Sequence, residues 1–167
     1  MAERDEIFKE KVEYSGIFNF AGLYNFVNSW LKEENYKVSE DKYSEKTSGN
    51  KRDIVIEWKA AKEISDYYKA EYKIKFEISD LTDVEVEIEG KTKTSNKGKA
   101  TVEIKGAIIK DHKGKWETSP FSRMARDIYN KYIVPSRTGA IEGAIIGKGK
   151  ELKEEVKSFL EISGKSK

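Results

Sequence analysis

Four carboxylates recur on alternate residues in one short stretch of the chain, at Asp83, Glu85, Glu87 and Glu89. If this stretch is a β-strand, the four side chains share one face and neighbours in the row are about 7 Å apart. Two carboxylates act as general acid and base only when their surroundings separate their pKa values. We expect instead that lysines of adjacent strands pair with the row, with weak divalent-metal binding as the alternative. The lysines expected to face it are Lys69, Lys73, Lys75 and Lys105.

Residues for nucleophilic or zinc chemistry are scarce. His112 is the only histidine and the chain has no cysteine, so a catalytic triad or a zinc site would lack its other members. Asp111, beside it, is predicted to start a turn. The sequence Gly147-Lys148-Gly149-Lys150 lacks the earlier glycine and the following Ser or Thr of a phosphate-binding P-loop. We therefore predict no catalytic residue, no metal site and no cofactor, in a protein that is not an enzyme.

Three glycines near the C-terminus, Gly139, Gly143 and Gly147, are four residues apart and would form one stripe on a helix. Each glycine inside a helix costs about 1 kcal/mol relative to alanine. Close approach of the helix to another element would offset that cost. The stripe therefore predicts intramolecular packing, or else a loop before a helix that starts near Lys150. The alternative is self-association or the docking of a partner.

A basic stripe precedes these glycines and consists of Arg123, Arg126, Lys131 and Arg137. From Ser119 onward basic residues outnumber acidic ones, whereas the N-terminal part of the chain has the opposite balance. Guanidinium groups in such a stripe could bind a phosphate or an acidic partner. An ordinary solvated helix face is the alternative. The net charge of only +2 disfavours non-specific attraction to nucleic acid.

The elements that position these residues begin with a predicted central strand over residues 67–81. Its apolar side chains fall on every second position, which is typical of a strand with one dry face. They are Tyr68, Ala70, Tyr72, Ile74, Phe76 and Ile78. Although the aromatic members are spaced like an RNA-stacking platform, they share their face with aliphatic residues, so we assign them to the core.

Further alternating runs predict more strands on either side of the central one. They cover residues 7–14, 36–47 and 53–64, a run with Val84, Val86 and Ile88, and a last run from Val102 to Ile108. Leu81-Thr82-Asp83 and Asn96-Lys97-Gly98 are predicted to reverse the chain between them. The sheet is therefore expected to have five to six antiparallel strands and to coil strongly.

Apolar residues at spacings of three and four predict the helices. One follows the cap residue Asn19 and ends near Asn35. A second starts at Ser119-Pro120 and is stopped by Pro135. A final helix covers about residues 139–160. The predicted fold is α+β, in the order β-α-β5-α, a coiled antiparallel sheet with the N-terminal and C-terminal helices packed on one face.

Length and composition indicate one domain over residues 1–162 and a frayed tail over 163–167. The absence of cysteine, of a signal peptide and of a long apolar run predicts a cytoplasmic protein with no transmembrane segment. The Lys- and Glu-rich, Cys-free composition also suits a thermophilic source.

Two resemblances add to this interpretation. The element order is similar to the helix-grip arrangement of START and Bet v 1-like domains, with one strand and one short helix fewer. Several phrases resemble an uncharacterised family of small archaeal proteins, which implies a cytoplasmic archaeal protein without an assigned activity. These phrases include Tyr43-Ser44-Glu45-Lys46, Ile56-Glu57-Trp58, Lys110-Asp111 with Trp116-Glu117 and Ser119-Pro120, and Lys157-Ser158-Phe159-Leu160.

Two functions follow as predictions. The first is a non-enzymatic interaction module whose C-terminal helices dock a macromolecular partner, through the basic stripe or the glycine stripe. The second is a carrier of an apolar small molecule between sheet and helix, as helix-grip topology would allow. An enzyme would need a carboxylate or tyrosine buried in such a cavity, and the sequence identifies none.

Overall fold

The computed structural model describes residues 3–110 and 134–165. Within these ranges the fold is α+β, as predicted, and consists of five strands and two helices. The strands are β1 (Glu3–Phe18), β2 (Lys37–Ser48), β3 (Lys51–Glu63), β4 (Tyr68–Ile88) and β5 (Lys91–Lys110). The helices are α1 (Phe20–Glu33) and α2 (Val134–Lys165). The second predicted helix, with its start at Ser119-Pro120, lies outside the described residues.

All five strands belong to one antiparallel sheet in the order β1-β5-β4-β3-β2. The central strand β4 is hydrogen-bonded on both sides. Its side chains from Tyr68 to Ile78 alternate as the sequence predicts, and every inward one is at most 1 % exposed. The predicted dry face is therefore confirmed, and its aromatic residues are core.

Two predicted chain reversals are wrong, because β4 runs through Leu81-Thr82-Asp83 and β5 runs through Asn96-Lys97-Gly98 without turning. The pairing of β4 with β5 shifts register between Ser79 and Thr82, where β4 has one extra residue. Asp80 has a φ of 53° in this bulge. The residues that were expected to reverse the chain therefore form a bulge within a continuous β4–β5 hairpin. The meander accordingly has four strands, and the sheet has the lower of the predicted strand numbers.

The chain reverses between β4 and β5 at Glu89 and Gly90, whose φ angles are 52° and 77°. Two consecutive positive φ values in a two-residue loop are typical of a type I′ turn, which matches the twist of the strands. Gly98 has a different role. A β-carbon there would lie 2.8 Å from the carbonyl oxygen of Ser79, so the bulge requires a glycine opposite it.

Helix α1 begins and packs as its sequence predicts. The side chain of Asn19 accepts a hydrogen bond from the backbone N–H of Gly22 at 3.0 Å, which caps the first turn. Phe20 N–H donates to the side chain of Asn96 on β5 at 3.1 Å. The buried face of the helix consists of Leu23, Val27, Trp30 and Leu31. The helix therefore covers the inner face of the coiled sheet.

Helix α2 is longer than predicted and begins at Val134, so Pro135 lies in its first turn. It continues through residues 163–165, within the stretch expected to fray. Its core-facing residues include Ile145, Leu152, Val156 and Leu160, all at most 3 % exposed. Within the described parts of the chain, neither helix is both long enough and apolar enough to cross a membrane.

Candidate functional site

The structure describes one of the four residues of the predicted basic stripe, Arg137. Arg123, Arg126 and Lys131 lie outside the described residues, as do His112 and its neighbour Asp111. Arg137 lies in the first turn of α2, is exposed, and its guanidinium carbon is 5.9 Å from the ring centroid of Tyr68.

The predicted glycine stripe is helical but does not pack against the part of the protein that the structure describes. Gly139, Gly143 and Gly147 are exposed, and a β-carbon added at any of them would meet nothing within 4 Å. Intramolecular packing and a loop are therefore both wrong for these glycines. The close approach occurs at Gly149, which is off the stripe. A β-carbon there would lie 2.7 Å from the Phe8 ring.

The predicted pairing of the acidic row with lysines is also wrong. Glu85 and Glu87 face Thr94 and Thr92 across the β4–β5 hairpin. Only Asp83 forms an ion pair within the described residues, with Arg52 at 3.2 Å. The prediction is wrong because the acidic row is the last part of β4 itself and not a separate strand beside the lysines. In residues 3–110 and 134–165, no three His, Cys, Asp or Glu side chains are grouped so as to hold a metal ion.

A cleft of about 470 Å³ lies between the first half of α2 and the end of the sheet where β3 leads into β4. The helix contributes residues from Arg137 to Lys148 to one wall. The opposite wall comes from Lys62, Glu63 and Ile64 at the end of β3, and from Ala70 on β4. Glu34 and Tyr36, which follow α1, close one end. The cleft thus joins four separate parts of the chain.

The cleft forms because α2 packs mainly on β1 and β5, on one side of the sheet. Gly106 on β5 and Gly149 on α2 allow this close contact. A β-carbon on Gly106 would lie 3.0 Å from Ile145. Because α2 lies over β1 and β5, a gap remains between the helix and the end of β3, where Lys62, Glu63 and Ile64 are at least partly exposed. The space beside the helix is the cleft.

Most of the surface inside the cleft is apolar. Ile141, Ala144 and Ile145 line the helix wall, and Ala70 and Ile64 line the sheet wall. Ile64 is 40 % exposed, and it is one of the few large apolar side chains on the described surface. Such a surface binds apolar atoms by removing them from water, at about 25 cal/mol per Å² of buried area.

Two cations at the cleft lie over tyrosine rings. The Lys62 ammonium is 5.5 Å from the ring centroid of Tyr36, and the Arg137 guanidinium lies over Tyr68. Neither forms an ion pair with a described carboxylate. By contrast, Lys148 at the other end of the helix wall is 3.1 Å from Glu34 and 3.4 Å from Glu151.

Tyrosine hydroxyls behind the cleft hold α2 on the sheet. The hydroxyl of Tyr68 is 2.7 Å from that of Thr138, and the hydroxyl of Tyr72 donates to the backbone carbonyl of Ile145. Burial raises the pKa of Tyr36 to about 12, and the Glu34 carboxylate adds to the rise. Burial also raises the pKa of Tyr72. These hydroxyls are therefore neutral near pH 7, and they position the wall.

A second apolar groove, of about 390 Å³, lies between α1 and the C-terminal half of α2. Phe26 and Phe159 stack there, with ring centroids 5.3 Å apart. Among the described residues, its polar lining consists of Ser158 and three carboxylates, Glu151, Glu154 and Glu155, with no cation. We assign the candidate site to the cleft, which combines an apolar surface with two cations that have no carboxylate partner among the described residues.

Among these cleft residues, only Arg137 was a predicted site residue. Lys62 and Ile64 belong to the predicted strand over residues 53–64, whose sequence pattern indicates core packing, and Tyr36 starts the predicted edge strand over residues 36–47. Comparison with protein-family models, curated proteins and solved structures finds no match to this chain. The resemblances to helix-grip domains and to an archaeal family therefore stay predictions, and the function is inferred from the cleft.

Proposed function

We propose that this protein is a non-enzymatic binding protein that holds a small, largely apolar molecule in the cleft beside α2. The observation that carries the proposal is the cleft itself. Its volume of about 470 Å³ lies within the range of about 300 to 1,000 Å³ that is typical of small-molecule sites. Like those sites, it has an apolar lining with a few charged groups at its edge.

The interior beneath the helices offers little room for a ligand, which favours the cleft over a fully enclosed site. Four aromatic side chains with no exposed surface fill the space between sheet and helices. They are Tyr68, Tyr72, Phe76 and Phe18. Interiors packed in this way have few voids larger than a water molecule. A ligand would therefore enter beside α2, against residues that the fold already holds in place.

Binding in the cleft would depend on apolar contact and would need little rearrangement. The helix wall is tied to β4 by the Tyr72 and Tyr68 hydroxyls, so the surface of Ile141 is in place before a ligand arrives. A preformed site loses less conformational entropy on binding. This arrangement supports a carrier or a sensor of its ligand.

Titration with Nile red, a neutral apolar dye, tests the proposal without reference to ligand charge. We expect saturable fluorescence enhancement in the wild type and its loss in Ala144→Trp, which fills the cleft from an exposed helix position. Gly143→Trp is the matched control, because Gly143 is exposed and a side chain there meets open space. Equal dye binding by wild type and Ala144→Trp, or no binding at all, would overturn the proposal.

Docking of a macromolecular partner through the C-terminal helices stays a prediction. The exposed face of Gly139, Gly143 and Gly147 favours it, since no contact within the described protein offsets their cost in the helix. Its basic-stripe version is tested by Arg123→Glu combined with Arg126→Glu in a pull-down from native lysate. Retention of every partner by this double variant would remove that version.

The cytoplasm is the compartment that we propose for this binding function. A reducing environment suits a chain without cysteine, because such a chain gains nothing from disulfide formation. An archaeal and thermophilic source stays a prediction from the sequence.

A further inference from the structure

We infer that the ligand of the cleft is an amphipathic anion, with a carboxylate head group on an aliphatic or aromatic body. This inference rests on the proposed binding function and specifies the class of its ligand. It is carried by the two cations, Lys62 and Arg137, which border an apolar surface and have no carboxylate partner among the described residues.

The charges around the cleft favour a negative ligand. Among the described residues, three cations line it, Lys62, Arg137 and Lys148, and two carboxylates, Glu34 and Glu63. Glu34 is paired with Lys148 at 3.1 Å. Within the described residues, Lys62 and Arg137 thus line the cleft without a carboxylate partner. An anion bound in the cleft would balance part of this positive charge.

The position of Arg137 strengthens this inference. It lies in the first turn of α2, which contains no acidic residue. The N-terminal end of a helix has a partial positive charge, so a cation there is destabilising unless an anion is nearby. A ligand carboxylate next to Arg137 would interact favourably with both the guanidinium and the helix end.

The helix wall also matches the shape of an amphipathic ligand. Starting from Arg137, the residues that line the cleft at helical spacing are Ile141, Ala144 and Ile145, before Lys148 at the far end. A head group at Arg137 would place an attached chain along this apolar surface. Burial of the chain would exclude water from the head group, which strengthens its interaction with the cations.

A second cation, Lys62, borders the cleft on the side opposite the helix. Lys62 is at the end of β3 and is held over the Tyr36 ring. A guanidinium binds a carboxylate through two parallel hydrogen bonds, and an ammonium adds a third donor group. A neutral head group would leave both cations unpaired, and a cationic head group would be repelled.

Three ligands with the same alkyl chain test the inference: octanoate, 1-octanol and octylammonium, each titrated while amide chemical shifts are followed by NMR. We expect octanoate to bind at least about tenfold more tightly than 1-octanol, since a charge-assisted hydrogen bond contributes about that factor. Octylammonium should bind most weakly. The largest shifts should fall on the amides of Ile64, Ala140 and Ala144.

The double variant Arg137→Gln with Lys62→Gln should remove the preference for octanoate, so that octanoate binds no more tightly than 1-octanol. The matched control is Arg52→Gln with Lys73→Gln, which removes the same charges from residues that do not line the cleft, and it should keep the preference. Equal affinity for octanoate and 1-octanol in the wild type would overturn this inference but not the proposed binding function. Failure of all three ligands and of Nile red would overturn the proposed binding function as well.

Discussion

Glu71 is a carboxylate on the outer face of the sheet, and yet it is only 2 % exposed. Its two oxygens contact Arg4 on β1 at 3.0 Å and Lys59 on β3 at 3.6 Å. Since β5 separates β1 from β4, Arg4 crosses one strand to reach it. The alternating sequence predicts a charged residue on the wet face at this position, but it does not predict burial. The ion pairs link the strands on both sides of β4.

Replacement of this carboxylate should lower stability. We expect Glu71→Gln to reduce the free energy of unfolding by about 1 to 3 kcal/mol, because both cations lose their partner and a buried polar group loses its bonds. The partial exposure of Arg4 and Lys59 limits the effect. Urea denaturation measures it. Glu77→Gln is the control, an exposed pair with Lys75 that should change stability by less than about 1 kcal/mol. Equal effects of both substitutions would contradict the prediction.

The buried Tyr36 phenol predicts a loss of stability at high pH. In an unfolded chain tyrosine ionises near pH 10, whereas in the fold burial raises the pKa of Tyr36 to about 12. Between these values the folded state binds more protons than the unfolded state, so the free energy of unfolding falls as pH rises. Below pH 10 this group causes no such loss.

The contribution of Tyr36 is measured by urea denaturation at several pH values between about 9 and 12. Tyr36→Phe should make the decline shallower by up to about 1.4 kcal/mol per pH unit, the value for one proton. Tyr43→Phe, at a position that is 52 % exposed, should stay closer to the wild-type slope. A wild-type slope in Tyr36→Phe would show that this phenol ionises equally in both states.

At the scale of elements, helix α2 has glycines of two kinds. Gly147 faces open space, whereas Gly149 lies against the Phe8 ring. Both are next to Lys148, so this shared neighbour does not distinguish them. Packing does, because α2 crosses the sheet at Gly149 and Gly106.

Alanine substitutions should have opposite effects at these two positions. Gly147→Ala should raise the free energy of unfolding by about 1 kcal/mol, through helix propensity alone. Gly149→Ala should lower it by about 1 kcal/mol, because the overpacking against Phe8 exceeds the propensity gain. The thermal or urea midpoints of the pair provide the measurement. A gain in both variants would mean that Phe8 moves aside at little cost.

The β4–β5 turn has an unfavourable residue that can be improved. Glu89 has a φ of 52°, which is strained for glutamate but favourable for asparagine before glycine in a type I′ turn. Glu89→Asn should therefore stabilise the protein by about 0.5 to 1 kcal/mol. Glu87→Asn, inside the strand, should be neutral or destabilising. Denaturation midpoints compare the two, and a gain at Glu87 equal to that at Glu89 would contradict the turn assignment.

At the scale of the whole molecule, the sheet is most strongly supported at its centre. β4 pairs with β3 and β5 and its inward side chains are fully buried, whereas β2 is an edge strand with mostly exposed residues. Local stability should follow this difference. We expect backbone amides of residues 72–78 to exchange with solvent most slowly, and those of β2 fastest among the strands, in hydrogen-exchange measurements on the native protein. Equal protection of β2 and β4 would contradict this view of the sheet.

Much of the fold could be predicted from the sequence, because alternation and helical spacing are local patterns. The run from Tyr68 to Ile78 predicted the central strand, and Asn19 predicted the start of α1. Turn residues were less informative. Leu81-Thr82-Asp83 and Asn96-Lys97-Gly98 have turn composition but form a bulge and its opposite strand, since the register with the partner strand decides which role they take.

The sequence by itself determined the two-sided sheet, the amphipathic helices and the scarcity of residues for nucleophilic or zinc chemistry. Each depends on residue type and on spacing over a few positions. The tertiary structure alone decided that Gly149 is the close-packed glycine, that Glu71 is buried, and that Lys62 and Arg137 border one cleft. These features join residues far apart in the chain, and they arise from where α2 crosses the sheet, which no local pattern encodes.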